Sequence, residues 1–452
     1  MALINPESTD IIPESLDLHS TLPTQVACEK VEVRVYLPKN PIERDTPIHF
    51  KVVSNDNDMI YPYHTYIRTR MKIINANGTD IAENIGGHAN LDRNVLAVDG
   101  IGSAWIQLCE VKINNKRVSS NDLYYAHRAD MNNRLSYSLE VKHNSLQMSG
   151  VDTEAAAFET IAEADLHLDD DNPADYALKR RYQRTKCSKE FHNVSRVHTE
   201  ICEQGKLLPA NTVLDFTFHP NESAFTLLSK RGANYRLKIL EAKLYIDHVK
   251  INPTIGRDLE DVSAKGNKMT FPVRRVEVTY YTRGLGATDL SHPAFLTGKK
   301  PRRLFFGVID LEAFHGTKGR DPFNFHHFNA REVAIRVNGE TIPAEGLRMN
   351  FTNNADVFMP LMYLLKTCDS FMTQHDIGIN LDNYRHRNAI YGFDLTATGA
   401  PPGTNFELTS NANIDFRIIL SEATTRNVAV VVYAEYDSEI LISHDRMVEY
   451  NQ

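Results

Sequence analysis

A chain of 452 residues can build two substantial cores, and 42% apolar with 24% charged residues is ordinary for a globular protein. A net charge of −8 excludes a general attraction for nucleic acid or anionic membrane, and no apolar run approaches the ~18 residues that cross a bilayer. Five scattered cysteines, Cys28, Cys109, Cys187, Cys202 and Cys368, are unlike a disulfide framework and point to a reducing compartment.

The first residues lack a basic segment followed by an apolar one, so no secretory signal is expected, and Ala2 stands where myristoylation needs glycine. Without a secretory route, the glycosylation sequons at Asn77, Asn193, Asn221 and Asn350 are chance matches. Residues 1–28 are polar and contain prolines, and they read as an arm that orders against neighbours. Val31, Val33, Val35 and Leu37 then alternate with Glu32, Arg34 and Tyr36, the pattern of a half-buried strand.

Trp105 to Ile113 reads as a strand running into the turn Asn114-Asn115-Lys116. A helix from Leu123 to about Leu135 follows, capped by Asn121 or Asp122 and carrying Ala126, Met131 and Leu135 on its apolar face. Residues 138–190 form a polar insertion with a short helix around Thr153 to Ala164. Its basic cluster, Lys179-Arg180-Arg181 with Arg184 and Lys186, directly follows the acidic stretch Asp165 to Asp175, so the two compensate on a solvated loop. The strand Val213 to Phe218 comes next, and Ser229 to Asn234, with Gly232, is the expected junction. The first domain is therefore placed at 29–230 and the second at 231–452.

The second half repeats the plan. Val273 to Tyr281 is a strand, and residues 282–300, with Gly284, Gly286 and Pro293, read as a long loop. Leu304 to Ile309 and Val428 to Ala434 are almost continuously apolar, as in strands covered on both faces. Val333 to Val337 runs into Asn338-Gly339-Glu340. A helix from about Met359 to Phe371 follows, with Asp356 as its cap, Pro360 in its first turn and Leu361, Leu364, Leu365, Cys368, Phe371 and Met372 as its core stripe. The strand Ile414 to Ile418 completes the copy. Strand, tight turn, helix, excursion, strand: two copies of one mostly-β unit predict an all-β chain of sandwiches or barrels, shaped for assembly.

Chemistry-bearing patterns are sparse. Cys187, His192, His198 and Cys202 could supply four zinc ligands, but not at the paired spacing of common zinc sites. His326-His327 reads as a structural pair, because adjacent residues on an extended chain point to opposite faces. Asp169-Asp170-Asp171-Asn172 resembles part of a calcium loop without its glycine and terminal glutamate. Neither a Gly-x-Ser-x-Gly elbow nor a phosphate-binding Gly-x-x-x-x-Gly-Lys loop occurs. No catalytic residue, cofactor or metal site is therefore predicted. A carbohydrate- or receptor-binding sandwich remains an alternative, for which the single Trp105 is a poor platform. A glycoside hydrolase would need two carboxylates ~5–10 Å apart in one cleft.

Three segments carry a resemblance: Asp321 to Asn329 with the following turn at Asn338-Gly339-Glu340, Gly392 to Thr396, and Asn413 to Ile418 leading to Val430 to Asp437. Leu18 to Tyr36, Ile60-Tyr61-Pro62 and Tyr66-Ile67-Arg68 add a looser match in the first half, where Asn55 to Asp58 departs from a simpler turn. Together they resemble the hexon-like major capsid protein of adintoviruses and Polinton (Maverick)-type elements. The resemblance implies a double jelly roll of two eight-stranded sandwiches, each with a helix between its sixth and seventh strands. It implies homotrimers forming pseudo-hexameric capsomers that tile an icosahedral virion shell, with a penton or minor capsid protein as partner. Synthesis in the host cytoplasm and assembly in the nucleus follow from the same resemblance. The insertion 138–190 and the loop 282–300 would be outer tower loops.

Overall fold

The computed structural model describes residues 14–19, 21–56, 58–82, 95–119, 123–152, 176–229, 234–352, 356–399, 405–408 and 410–451. Its first eight-stranded unit contains β1 (Cys28–Tyr36), β2 (Ile48–Val53), β3 (Asp58–Asn75), β4 (Ile106–Ile113), β5 (Lys116–Arg117), β6 (Phe191–Arg196), β7 (Val213–Pro220) and β8 (Tyr235–Ile251). The second contains β9 (Met269–Arg283), β10 (His292–Lys299), β11 (Arg303–Asp310), β12 (Ala330–Val337), β13 (Glu340–Arg348), β14 (Ile390–Asp394), β15 (Asn411–Leu420) and β16 (Val428–Ile442).

The sheets of the first unit run β1-β8-β3-β6 and β2-β7-β4-β5; those of the second run β9-β16-β11-β14 and β10-β15-β12-β13. Adding eight to each label of the first pair gives the second pair. Every pairing is antiparallel, and two such sheets face to face make a jelly roll; in the second roll Val448–Asn451 adds a fifth strand beside β16. The helices Tyr125–Ser136 and Phe358–Thr367 fall between the fifth and sixth strands of their units, the same place in both and one strand earlier than the resemblance implied.

Two asparagines write the repeat into the backbone. Asn114 and Asn115 have φ of 48° and 69°, and Asn338 and Gly339 have 50° and 90°. A two-residue hairpin with positive φ at both positions matches the twist of its strands and selects Asn and Gly. In each roll the first turn residue also clamps the seventh strand. Asn114 N donates to Val213 O at 2.9 Å while its Oδ1 accepts from Val213 N at 2.8 Å; Asn338 does the same with Asn413, at 2.9 and 2.8 Å. Asn338→Ala should therefore cost about 1–2 kcal/mol, from one lost side-chain hydrogen bond and a strained positive φ. A thermal midpoint unchanged from wild type would contradict this.

The expected junction is corrected. Beyond residues 230–233 the chain enters β8, which pairs with β3 along its length and with β1 over Leu244–Ile251. The first roll thus closes at Ile251, and the helix Pro253–Ala264, capped by Asn252, leads to the second. The loop expected at 282–300 is corrected too, because residues 292–299 form β10. Pro293 hid it, and an edge strand with a bulge tolerates proline.

Sheet β9-β16-β11-β14 is buried on both faces. Leu304, Phe306, Val308, Val430 and Val432 face β10-β15-β12-β13, while Phe305, Ile309, Val431 and Tyr433 face Leu361 and Leu364 of the second helix. That helix is shorter than the stripe implied. It stops at Thr367, Asp369 has φ of 55°, Phe371 is partly buried, and Met372 is exposed. Its N-cap is Val357, not Asp356. In the first helix Ala126, Met131 and Leu135 are buried and Leu123 is exposed. The candidate caps Asn121 and Asp122, the helix Thr153 to Ala164, the acidic stretch Asp165 to Asp175 and the calcium-like Asp169 to Asn172 lie outside the described residues.

Candidate functional site

The two rolls meet at a charged seam around a cavity of about 290 Å³. Arg387, just before β14, reaches Asp99 of the first roll at 3.1 Å and Asp321 of the second at 2.8 Å, all three buried. Arg134 of the first helix pairs with Asp130 at 2.8 Å and donates to Phe323 O at 3.0 Å and to Asn388 Oδ1. Lys142 Nζ donates to Arg134 O and Ile377 O, both at 2.6 Å. Arg180 holds Asp152, whose backbone N–H donates to Asp99 Oδ1 at 2.8 Å.

Burial disfavours charge here. It pushes the Asp130 carboxyl up to about 6 despite Arg134, and it pulls Lys142 down to about 8. Asp321 is raised by burial but more strongly lowered by Arg387 and Arg181, so it stays below the usual carboxylate range. Asp99, Asp130, Asp152 and Asp321 are thus each engaged by a guanidinium, while Asp382 also lines the cavity. This is a clamp between domains, whereas an acid–base pair of a hydrolase needs carboxylates free to trade protons.

Beside the cavity, His127 of the first helix packs among Phe225, Phe314 and Phe323, with ring centroids 5.5, 4.7 and 5.4 Å away. Burial lowers it to about 4, against a weaker opposing hydrogen bond to the Pro322 backbone. A depressed histidine gives stability that is present above its unfolded pKa of about 6.5 and lost as pH falls towards 4. Asp130 acts in the opposite sense: its stabilising contribution exists at low pH and is lost as pH rises through about 6. Between pH 7 and 5 the wild type should lose about 2 kcal/mol more than His127→Phe. Equal losses in denaturant titrations would contradict the buried neutral histidine.

The sequence's metal candidates do not converge. Cys187 and His192 are exposed, while His198 and Cys202 are buried. His198 lies 3.1 Å from Asn132 Nδ2 and 3.4 Å from Glu203. Glu203 is raised by burial and then lowered to about 2 by His198 and Arg128. Among the described residues no three His, Cys, Asp or Glu side chains are placed to share a metal. His326 and His327 do not point apart. Their rings stack at 4.4 Å because the chain turns here, Phe328 and Asn329 having φ of 44° and 51°. His327 also stacks on Phe351 at 4.2 Å, and Phe328 N and Asn329 N donate to the two Nδ1 atoms. Arg180 pairs with Asp152, and Arg181 is buried against Ala97 O. Trp105 is buried and donates to Gly102 O at 3.0 Å, so it offers no sugar platform.

The other unsatisfied feature is a surface. The β1 alternation was legible, but its orientation is the reverse of the usual one. Glu32, Arg34 and Tyr36 face inward, where Tyr36 reaches His248 at 2.8 Å and Arg34 reaches Asp58. Val31, Val33 and Val35 are 56%, 64% and 50% exposed. Two matched rolls, a charged seam and one bare apolar strand face describe a building block.

No protein-family profile matches the chain. Among solved structures, a chain of the Sputnik virophage, determined by cryo-electron microscopy, superposes with a TM-score of 0.63 at 14% identity, covering 100% of this chain and 94% of that one. The chain has the double jelly-roll fold. The mavirus major capsid protein matches over 100% of this chain and 97% of its own, with a TM-score of 0.52 and 10% identity. An uncharacterised protein of Caenorhabditis elegans, F54H12.2, is 24% identical over 424 residues, 92% of this chain and 95% of that protein. In this double jelly roll the seam fixes one roll against the other.

Proposed function

We propose that this chain is a hexon-like major capsid protein whose homotrimers form pseudo-hexameric capsomers of an icosahedral shell. The observation that carries it is the end-to-end match: two rolls locked by a buried seam account for this chain, and it superposes along its whole length on the mavirus major capsid protein. A stable trimer of this kind buries more than ~2,000 Å². Membership of Polinton- and adintovirus-type elements is part of the same proposal and rests on the sequence resemblance alone. A penton or minor capsid protein would complete the shell, made in the host cytoplasm and assembled in the nucleus. Both described flanks of the insertion 138–190 belong to the seam, through Lys142, Asp152 and Arg180, and so are not the outer tower loop that the resemblance implied. The carbohydrate-binding reading loses its platform in buried Trp105, and the hydrolase reading meets carboxylates that are already clamped.

Expression in insect cells followed by electron microscopy tests the proposal. Shells or hexagonal arrays are expected, and dispersed single chains would contradict it. In residues 21–27 the described arm is extended and mostly exposed, with Leu22 and Val26 outward. Deleting residues 1–28 should abolish shells and leave trimers, and normal shells from the truncated protein would refute a bridging arm.

A further inference from the structure

One guanidinium beside the seam has no carboxylate of its own. Arg181, in the helix Tyr176–Thr185, is only 6% exposed. Its Nη1 donates to Ala97 O at 3.4 Å, and its Nε is buried without a hydrogen-bond partner. The seam carboxylates favour its charge through space, but other guanidiniums hold them: Arg387 contacts Asp99 and Asp321, and Arg180 contacts Asp152. Among the described residues Arg181 itself makes no ion pair. Burial therefore outweighs those fields and lowers its pKa. A buried charge without a partner is costly, and an anion from outside the chain would relieve that cost.

Arg181 lines a groove of about 480 Å³ where residues 97–101, the segment 144–150, the helix and β6 meet. Arg184 lies one turn further along the same helix face, and Lys189 and His192 complete a basic rim, all three exposed. Among the described residues neither Arg184 nor Lys189 makes an ion pair. Glu190 is the carboxylate in the lining, and Arg70 already holds it at 3.1 Å. We infer that this groove binds a small multivalent phosphate, with Arg181 as the buried anchor and Arg184 and Lys189 closing on it from the rim. A guanidinium fork matches phosphate oxygens in pairs, and three cations call for more than one negative charge. At ~30 Å³ per water-sized group, the groove has room for two linked phosphates. Inorganic pyrophosphate and the polyphosphate end of a nucleotide share this chemistry. Nucleic acid is disfavoured, because a net charge of −8 repels a long polyanion. The bound anion would tie the helix and the segment 144–150 to the first roll. The site belongs to each chain alone and goes beyond the capsomer reading.

Calorimetric titration of the full chain with pyrophosphate, ATP and adenosine, in low-salt buffer free of phosphate, tests the site. Pyrophosphate should bind once per chain and raise the thermal midpoint, and adenosine should not bind. ATP binding more tightly than pyrophosphate would support a nucleotide, and the reverse would support the inorganic ion. Arg181→Met should melt no lower than wild type without ligand, since an apolar side chain often matches or improves on a buried charge. It should also weaken pyrophosphate binding by about tenfold or more, the value of a hydrogen-bonded charge. Arg184→Gln and Lys189→Gln, both at exposed positions, should each weaken binding severalfold and leave the unliganded melt unchanged. A wild type that binds no pyrophosphate overturns the site, as does binding that survives Arg181→Met. Should Arg181→Met fail to fold, unchanged binding in both exposed variants overturns it instead. Adenosine binding as tightly as ATP, or single-stranded DNA binding where pyrophosphate does not, overturns the choice of ligand. Pyrophosphate binding that appears only after Asp169, Asp170 and Asp171 are replaced by Asn also overturns it, by making the chain's own acidic stretch the occupant.

Discussion

Arg387→Ala should destabilise the chain by about 3–5 kcal/mol, because it leaves two buried carboxylates without their shared cation. Asp99 and Asp321 come from different rolls, and Arg387 is the group that holds both. Both carboxylates are buried, so losing the guanidinium leaves them poorly solvated. The pH dependence carries a distinctive sign. In the wild type, Asp321 has a lowered pKa, so its contribution is present above about 3.9 and is lost on acidification. In the variant burial raises the Asp321 carboxyl with Arg387 no longer opposing it, and its penalty shrinks as pH falls. The gap in stability between wild type and variant should therefore narrow from pH 7 to pH 5. A constant gap, or a loss below about 1 kcal/mol, would show that the seam is not held by this residue. Because the seam sets one roll against the other, the variant should also impair trimer formation under conditions where it remains folded.

Leu364→Asp should prevent folding. Leu364 is fully buried between the second-roll helix and sheet β9-β16-β11-β14, and Gly392 of β14 approaches its Cα so closely that a Cβ there would lie 3.2 Å away. An unpaired charge at this position has no partner and no route to solvent. Leu364→Ala, which leaves a cavity, should cost about 2–5 kcal/mol and still fold. Recovery of soluble, cooperatively melting Leu364→Asp protein would remove the helix from the core. Phe371→Asp should be tolerated by comparison, since the helix has ended before it and its ring is only partly buried.

What the sequence disclosed and what it hid divide along physical lines. The repeated hairpins were legible because Asn114-Asn115 and Asn338-Gly339 are local signals, and a positive φ at both turn positions selects those residues without reference to the rest of the fold. The doubly covered strands were legible from unbroken apolar runs. Strand β10 was not, since an edge strand with a proline and a bulge carries no alternation to detect. The end of the first roll was also misplaced, because a glycine in a polar segment resembles a linker, while the pairing of β8 with β1 spans about two hundred residues and leaves no local trace. The seam was missed for the same reason. Asp99, Asp130, Asp321 and Arg387 are far apart in the chain, and only the fold shows that they compensate one another. The one available hint was His127-Arg128 inside the apolar helix, polar residues where burial demands partners. The alternation of β1 gave the period of a half-buried strand, but which face turns outward is decided by its neighbours and left no mark in the sequence.

The capsomer reading stands or falls on the mass of the purified full-length protein, measured by light scattering with negative-stain imaging of the same sample. The account predicts three times the 51.3 kDa chain mass and a hexagonal outline. A monodisperse single chain, stable at micromolar concentration, would contradict it.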